Sequence, residues 1–189
     1  MSCITINSNY FRKCKDSLGG LSEIWLFPYV KYNRSQIVTS GNVLTTFPST
    51  IIYPFYSVAN PSATDTMEVD AGGKMHNQSI SLTLLGANDG FELTKLTAKD
   101  YRIIFKDRNG KYRIFGIYNG LEAGTLGYAT GSSKADFNGF KIDFTGKEEN
   151  EAYFINDLMG AGFIDSGLEF RITQDGEFRI LENNDYRIV

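Results

Sequence analysis

The sequence is poor in the residues that acid–base and metal chemistry most often use. It has one histidine, His76, among 189 residues, and two cysteines, Cys3 and Cys14. His76 stands among Lys74, Met75 and Asn77, and nothing around it suggests a Ser-His-Asp or Cys-His arrangement. The cysteines have ten residues between them, no CxxC spacing and no second ligand pair nearby, which argues against a zinc site. Two reduced thiols are expected, because residues 1–20 lack the continuous apolar run of a secretory signal. No run approaches the ~18–20 apolar residues of a membrane helix. The reading is therefore a protein made and assembled in a cytoplasm, with no membrane partner. Basic residues do not outnumber acidic ones. The net charge is −3 and the pI about 5.2, which disfavours a nucleic-acid-gripping protein but suits a surface past which DNA slides. Gly124, Gly127 and Gly131 are spread through a strand-like pattern and open no helix, so a nucleotide loop is disfavoured and no cofactor is expected.

What the chain does have is aromatics and alternation. Aromatic residues make up 14%, with 14 Phe and 11 Tyr, which favours strands over helices. From Tyr101 to Ile155, apolar residues alternate with polar ones and the runs are separated by Asn109-Gly110, Asn119-Gly120 and Asn138-Gly139. Each pair reads as a tight hairpin turn with positive φ at both central residues. Earlier strands are predicted at Ser22–Tyr32, Val38–Leu44, Thr50–Val58 and Met75–Gly86. Pro28 removes a ladder donor and so marks an edge or a bulge. Trp25 fits the core, with an interface anchor as the other reading. Asn60–Lys74 is small, polar and acidic and reads as a long loop. Asn88–Lys99 is the one good helix candidate, with Phe91, Leu93 and Leu96 as its apolar contacts. Glu151–Leu158 reads as a short strand or a turn of helix. Met159–Gly167 is a glycine-rich joint, and 168–181 form a hairpin across Asp175-Gly176. A ribbon of two or three strands is marginal alone and should dock on the body or on a neighbouring subunit.

Two acidic groups attract attention, Glu148, Glu149 and Glu151, and Asp65, Glu68 and Asp70. Either fits cation binding or acid–base chemistry; a solvated loop or acidic rim is the simpler reading of both. Asp107-Arg-Asn-Gly-Lys111 resembles a fragment of a calcium loop without the later ligands, and a hairpin turn accounts for it.

The order of elements resembles the tail tube proteins of bacteriophages and the rings at phage necks and head–tail junctions. Two segments carry the resemblance: Cys14-Lys-Asp-Ser-Leu-Gly-Gly-Leu-Ser-Glu-Ile-Trp-Leu-Phe-Pro28, similar to the N-terminus of small virion proteins of Bacteroidetes-infecting phages, crAss-like ones among them, and Lys106–Gly116 followed by Phe137–Glu148. It implies a mainly β fold, an antiparallel sandwich or rolled barrel with one flanking helix; the C-terminal ribbon read from the residues lies outside the minimal family pattern. Together with the residue reading, the division expected is an N-terminal arm at 1–20, a tail-tube-like domain at 21–158, and a glycine-rich joint and hairpin at 159–189. The implied protein is a structural subunit of the virion tail or connector, with no enzymatic activity. It would form a homo-oligomeric ring, hexameric or larger, among tail, neck or portal neighbours, with DNA passing through the lumen. Trp25, Ile51, Ile52, Phe55, Tyr56, Met75, His76 and Gln78 are the interface candidates, with the strand end at 127–134. The second reading is a carbohydrate- or ligand-binding β-sandwich with Tyr112, Tyr118 and Tyr128 as a platform. A glycosidase using Glu148 or Glu151 is the third, and requires two carboxylates facing across a cleft.

Overall fold

A computed structural model describes residues 18–55, 57, 61–70, 73–85, 94–130, 137–167, 170–172 and 178–180. In chain order its strands are β1 (Leu21–Pro28), β2 (Val38–Ser40), β3 (Val43–Thr46), β4 (Thr50–Pro54), β5 (Ser62–Asp70), β6 (Gly73–Leu85) and β7 (Tyr101–Asp107). Then come β8 (Tyr112–Phe115), β9 (Glu122–Thr130), β10 (Asn138–Glu148), β11 (Tyr153–Ile155), β12 (Phe163–Asp165), β13 (Phe170–Ile172) and β14 (Phe178–Ile180). The mainly β reading holds. Residues 94–96 are helical and Leu96 packs on the core; the earlier part of the predicted helix lies outside the described residues.

Eight strands form one sheet in the order β12-β4-β1-β7-β8-β11-β3-β2. Connectivity forces this sheet to curl. Only Phe47, Pro48 and Ser49 join β3 to β4, yet β3 is five places from β4 in the order. Four residue steps span at most about 14 Å, whereas five strand spacings in a flat sheet need about 24 Å. The same link is tied across the gap, with Phe47 N–H donating to Ala161 O (2.7 Å) and Thr50 N–H to Gly162 O (3.0 Å). Curling buries both faces of β1 and β7, which explains their runs Ile-Trp-Leu-Phe and Ile-Ile-Phe. Trp25, Phe27, Ile104, Ile114, Phe47 and Phe163 fill the inside of the curl, with Phe47 and Phe163 stacked at 5.0 Å.

The second sheet has the order β5-β6-β10-β9. It packs Ile80, Leu82, Ile142 and Phe144 against Ile24, Leu26, Ile103, Phe105 and Phe115 of the first. Each such side chain contributes about 1.5–3 kcal/mol by burial, so this layer holds the sandwich together.

Several expectations are corrected. β1 is an interior strand between β4 and β7, and Pro28 is its last residue, where β4 has already diverged and no donor is needed. The bulge lies at the other end, between Leu21 and Glu23. Val38–Leu44 is a hairpin turning at Gly41, φ +61°. The expected loop at 60–74 contains β5, paired with β6 from Ser62↔Ser81 to Asp70↔Gly73. Asn109-Gly110 ends a hairpin as expected, but as a three-residue loop. Gly110 N–H donates to Asp107 O (3.0 Å), which makes Arg108 and Asn109 the central pair and leaves Gly110 at φ +79° beyond them. The Asp107 carboxylate acts as a turn cap, its Oδ1 accepting from Asn109 and Lys111 N–H at 2.9 Å each.

Asn119-Gly120, by contrast, is not a hairpin; it is the corner by which the chain leaves β8 and enters the other sheet. Asn138-Gly139 opens β10 within its ladder, where a methyl at Gly139 would collide with the Leu84 carbonyl. Finally, residues 159–167 are not a joint. β12 pairs in parallel with β4, and Phe163 is wholly buried, so the body runs past 158 to Gly167. Residues 1–17, with Cys3 and Cys14, lie outside the described residues; Leu18 is clamped by Asn109 through two hydrogen bonds of 2.9 and 3.1 Å.

Candidate functional site

Residues opposed across a ladder share a face, so the register of the second sheet gives its two surfaces directly. Facing the first sheet are rows that change character along the strands. Tyr128-Phe140-Leu84, Leu126-Ile142-Leu82 and Ala123-Phe144-Ile80-Ala63 are apolar. Gly146-Gln78-Asp65 and Glu148-His76-Met67 follow, and Val69-Lys74 stands alone beyond the end of β10. The β5–β6 hairpin thus projects past the core, leaving Met67 and Val69 exposed at 53% and 70%.

The polar rows are a fastening device. Asp65 accepts from Ala152 N–H (2.7 Å) and Gln78 Nε2 (3.3 Å), and its other oxygen meets His76 Nδ1 at 2.8 Å. Gln78, buried, accepts from Gly116 N–H (2.9 Å). Glu148, also buried, accepts from Tyr118 N–H (3.0 Å) and Asn119 N–H (2.8 Å). These acceptors hold the 116–121 corner against the sheet. Burial pushes the Glu148 carboxyl up, opposed by the two amides and by Arg102. Arg102 is itself buried, with its guanidinium 4.3 Å from the Tyr29 ring and donating to Ile117 O (3.0 Å) and Val30 O (2.9 Å); desolvation lowers its pKa. Burial, reinforced by Tyr118, pushes the Tyr153 phenol up to about 12. Glu148 is therefore not part of a solvated rim. Glu149 is, paired with exposed Arg34 at 2.6 Å, and Glu151 is exposed. Of the two carboxylates named for glycosidase chemistry, Glu148 is buried with one oxygen taken by backbone amides and Glu151 is exposed. Among the described residues no group of three or more His, Cys, Asp or Glu is placed to hold a metal.

The opposite face of the second sheet is polar and short-chained. Thr64, Ser79 and Thr145 lie in register, as do Thr66, Asn77 and Lys147, and with Glu122 they line a groove of about 770 Å³. Glu68, Glu122 and Asp143 outnumber Lys141 and Lys147 on this face. The sheet ends in two long edges, β5 and β9, nine residues each and free of proline, and no other described strand pairs with their outer sides.

The expected interface residues separate into groups. Trp25 and Ile52 are core residues, the Trp25 indole donating to Asp165 at 2.9 Å. Ile51 is half exposed, and Phe55 is partly buried against the sandwich core. Met75 is exposed, His76 half-buried and bonded to Asp65, and Gln78 buried. Tyr56 and residues 131–134 lie outside the described residues, while 127–130 form the end of edge strand β9. Sequence reasoning missed Met67 and Val69, whose alternation with Thr66 and Glu68 is a strand signal, and Tyr53 and Ile164, which join Ile51 on one exposed face. The tyrosines disperse. Tyr112 packs on Trp25, Tyr118 on Tyr153, and Tyr128 on Phe140 in the other sheet. No family model, curated protein or solved structure matches this chain.

Proposed function

We propose that this chain is a structural subunit of a ring, of the kind that forms a bacteriophage tail tube or head–tail connector. The observation that carries the reading is the four-stranded sheet whose two long edge strands, β5 and β9, are free of proline and have no described strand against their outer sides. Such an edge invites pairing with another chain; the blunting features present are the inward Asp65 of β5 and the bulge where β9 meets Asp143 and Phe144. β5 and β9 sit at opposite edges of one sheet, so β5 of one copy can continue the ladder of β9 of the next. Repetition of that heterologous contact closes a barrel and removes every edge. The polar, mildly acidic face would then line the lumen, where weak repulsion lets DNA slide. The role is one of assembly, with no reaction, in the tail or connector of the virion.

Light scattering of the purified chain across concentrations tests this. A discrete species of six or more copies is expected; a monomer under every condition would overturn it. The rival reading, a carbohydrate- or ligand-binding module, draws on the groove at Thr64, Asn77 and Thr145 rather than on a tyrosine platform, and predicts saccharide binding by a monomer.

A further inference from the structure

Two cations stand on one aromatic ring at the flank of the first sheet. The ladders place Phe105, Arg113, Phe154 and Val43 in one row across β7, β8, β11 and β3. Phe105 is buried in the core beneath the second sheet, whereas Arg113, Phe154 and Val43 are half-buried, so the row emerges from that cover. The Arg113 guanidinium carbon lies 4.1 Å from the centre of the Phe154 ring. Lys111, exposed and two residues earlier in the chain, brings its Nζ to 5.7 Å from the same centre. Phe154 and Lys111 also border a cleft of about 280 Å³, together with Asn42 and Asn156.

These cations have no acid. Arg34 and Lys106 are matched by Glu149 and Glu23, but among the described residues no carboxylate lies within ion-pair distance of Lys111 or Arg113. Asp107, the acid nearest in sequence, gives its Oδ1 to the backbone amides of Asn109 and Lys111. A guanidinium held against an aromatic ring has less rotamer freedom left to lose on binding, and its planar fork matches the two oxygens of a carboxylate. Lysine adds a second, adaptable point charge beside it. Phosphate shares this oxyanion chemistry, but a grip on nucleic acid draws on many phosphate contacts, and two cations supply few. A long polyanion also meets the rest of a chain of net charge −3, whereas a short acidic segment meets only this corner.

We propose that this corner of the first sheet binds an acidic segment of another protein, with one carboxylate on the Arg113 fork and a second beside Lys111. The site uses neither β5 nor β9, so it needs no self-association and goes beyond the ring reading.

Fluorescence anisotropy of dye-labelled hexaglutamate, titrated with the full-length chain, tests it. Saturable binding is expected, weakened about tenfold by Arg113→Gln, less by Arg113→Lys, which keeps the charge without the fork, and unchanged by Lys31→Gln at an exposed cation elsewhere. Lys111→Gln, at an exposed position, weakens binding too and keeps the test open should Arg113→Gln fail to fold. Absence of saturation, or equal losses in Lys31→Gln and Lys111→Gln, overturns the proposal. Competition separates the sources of the oxyanion. Unlabelled hexaglutamate should displace the probe at lower concentration than inorganic phosphate or a short DNA duplex. Displacement by phosphate or by the duplex at equal or lower concentration would assign the corner to a free oxyanion or to nucleic acid, and overturns it as well.

Discussion

Glu148 gives the sharpest test of how the two sheets are held together. It is 2% exposed, and one carboxylate oxygen accepts both corner amides, Tyr118 N–H and Asn119 N–H. Glu148→Ala leaves those two donors without an acceptor in a buried place and removes the negative charge that Arg102 feels. An unsatisfied buried donor costs about 1–3 kcal/mol, so the loss should be about 2–5 kcal/mol. Glu148→Gln keeps an oxygen for the amides and removes a buried charge, so it should lie within about 1 kcal/mol of the parent at neutral pH. The pH dependence separates charge from hydrogen bonding. Burial raises the folded pKa of Glu148 above its ordinary value of 4.5, so the folded state binds the proton more tightly. At neutral pH the ionised group is therefore destabilising, and stability from this group rises as pH falls through the folded pKa, levelling below the unfolded value. Glu149, held down by Arg34, has the opposite sign but is common to both proteins and cancels in the difference. Urea denaturation from pH 7 to pH 4 should show the parent gaining on Glu148→Gln as pH falls. A flat difference would refute the account, as would Glu148→Ala costing no more than exposed Glu151→Ala, expected within about 0.5 kcal/mol.

The remaining predictions concern packing. A Cβ at Gly146 would lie 2.5 Å from Gly120 O and 2.7 Å from Leu121 Cδ2, so Gly146→Ala should cost about 1–3 kcal/mol in chemical denaturation. Gly127 has nothing within 4 Å of that position, so Gly127→Ala should be neutral or stabilise by up to about 1 kcal/mol. Trp25→Phe keeps most of the ring but strips Asp165 of its indole donor, and should cost about 1–3 kcal/mol and expose β12 to hydrogen exchange before the other strands.

Much of the architecture was legible because it is written in alternation. β6 and β10 follow the apolar–polar period, and their ladder falls where that period puts it, whereas β7 reads as a strand through its continuous apolar run. The failures have physical causes. β5 was hidden because its small, polar and acidic residues match the composition of a loop, and only the alternation of Met67 and Val69 with Thr66 and Glu68 marks it as a strand. Asn-Gly marks positive φ, but the same pair also serves at a sheet-to-sheet corner and, in Asn138-Gly139, where a neighbouring carbonyl leaves no room for Cβ. Glu148 looked solvated because its neighbours Glu149 and Glu151 are. Only the crossing of the 116–121 corner over the end of β10 buries it, and that is a long-range contact with no local signature. The polar rows at Asp65, His76 and Gln78 were unreadable for the same reason, since each takes its partners from distant segments. The exposed positions among the interface candidates, Ile51 and Met75, are those at which an apolar residue stands on the solvent side of a strand.

The central claim is that β5 of one copy continues the sheet of the next through β9. Six copies would bring about 24 strands at about 4.8 Å spacing and about 40° tilt, a backbone barrel about 48 Å across. Cryo-electron microscopy of the purified assembly measures this directly. The account predicts a closed ring with one continuous sheet around its lumen and β5 hydrogen-bonded to the neighbour's β9. A ring whose copies meet through other surfaces, with both edges left open to solvent, would contradict it.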